Sequence, residues 1–166
     1  MAFQYPDLLA TIRSKLLSTK LDASRLTFEI TETAAIDNIE SAMNMMSRIH
    51  ALGCKFALDD FGAGFCSFNY LKTFPVDYVK IDGQFIRNLL EDETDQLLVK
   101  SMVEIAEKLG KKTIAEFVES VETALKLKEL GVNYAQGYVF GRPEPHLLDY
   151  RQTVLNSNQP ESLLQF

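Results

Sequence analysis

The sequence predicts an α/β fold built as a (β/α) barrel, and three observations carry that expectation. Helical and strand periodicities alternate along the chain, which implies parallel strands joined by right-handed crossovers. A short apolar run, Phe56-Ala57-Leu58, reads as a buried strand and ends in two adjacent carboxylates, Asp59 and Asp60. Finally, the polar residues of interest all fall at the C-terminal ends of strands, where barrel enzymes place their sites, and this favours a barrel over an open doubly wound sheet.

Taken in order, residues 6–17 carry Leu8, Leu9, Ile12 and Leu16 on one helical face, and residues 25–30 follow as a strand. The helical period returns over 36–52 until Gly53 stops it, and 55–58 form the next strand. A third strand covers 78–81. Residues 84–109 form a long helical region with a break near Glu91-Asp92-Glu93, and Gly110 caps it. Strand 112–115, helix 121–130, the stop Gly131 and strand 132–135 complete the repeat. A domain of residues 1–146 is expected, followed over 147–166 by a helix and a polar tail containing Asn156-Ser157-Asn158-Gln159-Pro160.

With 166 residues and 46% apolar content the chain can bury one core. No run of about 18 apolar residues can span a membrane, and Met1-Ala2-Phe3-Gln4 does not begin a secretory signal, so a cytoplasmic chain without membrane contact is expected. The formal charge of −6 argues against a polynucleotide partner. It does not argue against a small phosphate ligand, because bound cations invert the local charge logic. Cys54 and Cys66 read as buried reduced thiols, and His50 and His146 as structural.

Strand alternation puts Thr27, Glu29 and Thr31 on one face of their strand, and Lys80 with Asp82 on one face of theirs. The strand ends then offer Glu29 and Glu32, Asp59 and Asp60, Lys80 and Asp82, Glu116 and Glu119, and Gln136. Each has a plain structural explanation. Asp59-Asp60 before Phe61-Gly62 is consistent with a turn cap, Lys80 with Asp82 with an ion pair, and Glu116 with Glu119 with acids at a helix N-terminus. Their coincidence on several strands lowers the odds of those explanations. Carboxylate oxygens suit Mg²⁺ or Mn²⁺, two such ions about 3.5–4 Å apart clamp a phosphodiester while activating water, and a neighbouring lysine stabilises charge. The pattern fits metal-assisted hydrolysis of a phosphate ester.

Phe28-Glu29-Ile30-Thr31-Glu32, Asp59-Asp60-Phe61-Gly62-Ala63-Gly64, Val79-Lys80-Ile81-Asp82, Ala115-Glu116-Phe117-Val118-Glu119 and Ala135-Gln136-Gly137-Tyr138 through Gly141-Arg142-Pro143 together resemble the ordered motifs of EAL-type cyclic di-GMP phosphodiesterases. The resemblance runs from about residue 3 to 145. It implies a TIM-like barrel that hydrolyses cyclic di-GMP to linear pGpG. It also implies metal ligation by Glu29, Asp59 and Asp60, with Asp59 bridging two Mg²⁺ or Mn²⁺ ions. Glu116 matches a glutamate that is either general base or ligand of the second metal. Lys80 and Gln136 match residues around the attacking water, Asp82 and Glu119 support the site, and Glu32 anchors the loop of residues 60–65 with Gly62 and Gly64, a loop bordering the family's dimer interface.

The match has a gap. Members of the family begin with a strand carrying Glu-Ala-Leu, and a following strand supplies an asparagine ligand; neither is found here, and Phe3-Gln4-Tyr5-Pro6-Asp7-Leu8-Leu9 resembles the helix that comes next. The expectation is therefore a barrel incomplete at its N-terminus, inactive or nearly so alone, which associates as a homodimer or strand-exchanged oligomer or is completed by a missing N-terminal segment. Two other readings stand beside the enzyme: a non-catalytic cyclic di-GMP receptor or protein-interaction module, and another barrel phosphoesterase.

Overall fold

The computed structural model describes residues 7–31, 39–63 and 68–143. The strands are parallel where their register is defined, and their order in the sheet is the order of the sequence, β1 (Thr27–Thr31), β2 (Lys55–Phe61), β3 (Tyr78–Ile81), β4 (Lys112–Ala115) and β5 (Tyr134–Ala135). Sequential strands that lie side by side in parallel are what repeated βα units produce. The chain divides into two compact units, Met1–Lys80 with Lys108–Lys111, and Ile81–Glu107 with Lys112–Phe166.

In the first unit, helix α1 (Leu8–Thr19) ends at Lys20 in the left-handed conformation, and Asp22 accepts the Ser24 N–H to cap a short 3-10 turn, Ala23–Arg25. β1 then pairs with β2 from Thr27 opposite Lys55 to Thr31 opposite Asp59. Helix α2 (Ile39–His50) buries Ala42, Met46 and Ile49, the i, i+4, i+7 stripe of an amphipathic helix. Phe56, Ala57 and Leu58 are all buried, as befits a parallel strand covered on both faces. The short helix α3 (Phe68–Thr73) leads through Phe74 and Val76 into β3.

A polar clamp holds the N-terminal ends of β2 and β3 in place. Asp77 accepts from Lys55 Nζ at 2.7 Å and from the Phe56 N–H at 3.0 Å, while His50 Nε2 lies 3.3 Å away. Burial alone would push the Asp77 carboxyl up, but the two hydrogen bonds and the Lys55 and His50 charges together hold it below the ordinary carboxylate range. Lys111 donates to the carbonyls of Phe74 and Val76 at 2.8 and 3.0 Å, satisfying the loop that enters β3. His50 is thus structural, and Cys54 is a buried free thiol, both as expected.

In the second unit, the helical region expected over 84–109 with a break near 91–93 is a 3-10 turn, Gly83–Phe85, a series of turns, and helix α4 (Glu93–Lys108), which starts at the expected break. The break arises because the Asp92 carboxylate accepts the Thr94 N–H at 2.7 Å and starts α4 afresh. Val99, Met102, Val103 and Ala106 form its buried stripe. Helix α5 (Val121–Glu129) is capped by Ser120, whose hydroxyl accepts from the Thr123 N–H. β4 and β5 pair at Ile114 with Tyr134 and Ala115 with Ala135, and the Asn133 side chain extends the ladder by accepting the Thr113 N–H at 2.8 Å. No helix among the described residues is long and apolar enough to cross a membrane. The expected C-terminal helix and tail, 147–166, lie outside the described residues, as do Cys66 and His146.

Candidate active site

Lys80 organises the expected site residues of the first unit. It is the one buried charged side chain among the described residues, 4% exposed, and stands on β3 between buried Val79 and Ile81. A buried ammonium persists only with partners. Its Nζ lies 2.8 Å from Asp59 Oδ1 and 3.1 Å from Glu29 Oε2. Glu29 comes from the outer face of β1, where alternation buries Ile30 and exposes its neighbours, as the sequence predicts.

Asp59 and Asp60 are consecutive residues of β2, so a regular strand would send their side chains to opposite faces. Asp60 instead has φ 57°, a left-handed conformation that aspartate tolerates better than most residues. The kink brings a carboxylate oxygen of each within 4.8 Å of the other. The Ala63 N–H closes the turn onto the Asp60 carbonyl, and Gly62 follows at φ 94°, where a side chain would be strained. The pair therefore belongs to the strand itself and does more than cap a turn, and its donor chemistry, hard anionic oxygen, fits Mg²⁺ or Mn²⁺.

The second unit gathers a separate set. Glu116, Phe117, Glu119, Gln136, Gly137 and Tyr138 line an open cavity of about 170 Å³ at the C-terminal ends of β4 and β5. The Glu116 N–H donates to the Ile81 carbonyl at 3.2 Å, and the Gln136 N–H to the Ala115 carbonyl at 2.8 Å. Helix α5 begins only after Ser120, so Glu116 and Glu119 precede it and face the cavity; the first-turn acid of that helix is Glu122. Asp82 accepts the Gln84 N–H at 2.7 Å and caps the 3-10 turn that follows β3. Glu32 and Gly64 lie outside the described residues.

Several residues of the cavity drew no role from the sequence. Phe117 has φ 55°, a conformation costing a bulky residue roughly 1–2 kcal/mol, and is half exposed. The Arg87 guanidinium sits 4.5 Å from its ring centroid and the Arg142 guanidinium 4.9 Å from that of Tyr138. Gly137 admits no Cβ, because the backbone of Val118 occupies that space. Only Gly137 carried a signal, its place directly after Gln136 at a strand end; nothing local marks a phenylalanine for a left-handed backbone.

Parallel strands in the order of the sequence, with charged and polar residues at their C-terminal ends, define an α/β protein of the barrel type. The chain belongs to the EAL domain family, whose sequence profile matches residues 1–143. Among its curated relatives, cyclic di-GMP phosphodiesterase PdeB of Shewanella oneidensis is 52% identical over 118 residues, 71% of this chain and 14% of that protein. Cyclic di-GMP phosphodiesterase RocR of Pseudomonas aeruginosa is 39% identical over 145 residues, 86% of this chain and 37% of that protein. The chain thus spans well under half the length of these relatives. Among solved structures, the PaMucR phosphodiesterase in complex with c-di-GMP matches with a TM-score of 0.80 at 35% identity, covering 86% of this chain and 58% of that one. The FimX EAL domain of Xanthomonas citri in complex with c-diGMP matches with a TM-score of 0.84 at 25% identity, covering 89% and 59%. The expected TIM-like α/β fold class is that of these EAL domains.

Proposed function

We propose that this chain carries catalytic residues of a metal-dependent phosphodiesterase that hydrolyses cyclic di-GMP to linear pGpG. The observation that carries the reading is the buried Lys80 flanked by Asp59 and Glu29, with the Asp60 carboxylate turned toward that of Asp59. Relatives named cyclic di-GMP phosphodiesterases supply the substrate. In this reading Glu29, Asp59 and Asp60 would hold Mg²⁺ or Mn²⁺, and Glu116 would serve as general base or further ligand. Bound metal supplies Lewis acidity and a nucleophilic water at neutral pH.

The side chains do the rest. The Lys80 ammonium fixes the Asp59 and Glu29 carboxylates in place and presents positive charge where the phosphodiester develops negative charge. Gln136 offers an amide that donates to and accepts from the attacking water. Asp82 and Glu119 support the site from the ends of their strands. We place the reaction in the cytoplasm, with a homodimer or strand-exchanged oligomer as the assembly, a state that light scattering reads directly.

The test is product analysis with cyclic di-GMP and Mn²⁺ or Mg²⁺, run on the natural gene product beside Glu116→Gln. Release of pGpG that drops at least 100-fold in the variant supports the reading. Tight binding of cyclic di-GMP without turnover in the unaltered protein would make it a receptor instead.

A further inference from the structure

We propose that Phe117 is a positioning residue for Glu116, acting as a brace whose ring is clamped between Gly83 and Arg87. The proposal rests on the reading of Glu116 as a group of the reaction, but the brace itself stands on geometry within the second unit. Phe117 sits between two residues tied to different strands. The Glu116 N–H donates to the Ile81 carbonyl at the end of β3, and the Val118 N–H donates to the Gln136 carbonyl beyond β5. The chain changes pairing partner at Phe117, and the change requires its left-handed φ of 55°.

A bulky residue in that conformation persists only where its surroundings over-determine it. The surroundings here are specific. Gly83 is buried, and a Cβ there would fall within the space of the Phe117 ring, whose Cβ atom would lie only 2.9 Å away. On the ring itself lies the Arg87 guanidinium, 4.5 Å from the centroid. Gly83 and Arg87 are four residues apart on the segment that follows β3, so one segment supplies both contacts to the ring. Val118 is closed in by Gly137, where no side chain fits, and is itself fully buried. Movement of the ring therefore passes to the backbone of Glu116, and Val118 is the fixed end of the lever.

Glycine adopts φ 55° without strain, so Phe117→Gly keeps the backbone path available and removes only the brace. Gly83→Ala leaves the ring and displaces it. Amide hydrogen exchange in the chain is expected to quicken at least tenfold at Glu116 in both variants, with Leu58 and Val99 unchanged. In the gene product, kcat for cyclic di-GMP is expected to fall about tenfold with KM within twofold, the signature of a misplaced reacting group. Should Phe117→Gly fail to fold, Arg87→Ala, which removes an exposed guanidinium, carries the same expectation at about threefold. Unchanged Glu116 exchange in these variants overturns the brace whatever the turnover. Wild-type turnover in Glu116→Gln overturns the functional reading of that glutamate, and the exchange measurement still decides the brace.

Discussion

Single residues in this chain are set by charge and by backbone geometry. Asp77 shows the first: its carboxylate is held below the ordinary value of 3.8 by Lys55, the Phe56 N–H and His50 acting against burial. A depressed acid stabilises the fold above its unfolded pKa, and that contribution is lost as pH falls through the folded value. Asp77→Asn is therefore expected to cost about 1–2 kcal/mol at pH 7, the worth of a charge-assisted hydrogen bond, and progressively less below about pH 3.8. Urea titrations of both proteins across that range check it; a constant difference at all pH values would contradict it. Asp60 and Phe117 show the second. Both take left-handed backbones, and neither was visible in the sequence, because aspartate only tolerates that conformation and phenylalanine has no leaning toward it.

At the scale of elements, apolar patterning and glycine stops carried the prediction far. Strands 78–81 and 112–115 match β3 and β4 residue for residue, and Gly53, Gly110 and Gly131 stand at helix or turn ends with φ of 94°, 69° and 87°. β2 ran three residues past its expected end at 58, because the backbone ladder continues opposite Thr31 after the apolar run stops. Patterning reports burial, and Asp59 pairs with Thr31 without being buried. The same strand makes the sharpest element-level prediction. Leu58 is fully buried at the centre of β2, so Leu58→Ala is expected to destabilise by about 2–5 kcal/mol. Chemical denaturation measures this directly, and a loss below about 1 kcal/mol would show that β2 is not a central core strand.

For the whole molecule, the sequence located the candidate residues but left the partners of one of them open. Lys80 and Asp82 share a strand face, consistent either with an ion pair or with a shared site; in the structure Lys80 reaches Asp59 and Glu29, and Asp82 caps the Gln84 N–H. Long-range pairing across strands is not encoded in the spacing along one of them. It is this pairing that turns Glu29, Asp59 and Lys80 into a candidate centre of the first unit, and relatives named cyclic di-GMP phosphodiesterases give it its proposed substrate. The central claim is that Asp59, fixed by Lys80, holds the metal that cleaves cyclic di-GMP. The most direct measurement is the single-turnover rate of pGpG formation by the natural gene product with saturating Mn²⁺, compared with Asp59→Asn and with chelator added. A fall of at least 100-fold in the variant, and loss of cleavage with chelator, is the result predicted; cleavage by Asp59→Asn at the unaltered rate would contradict it.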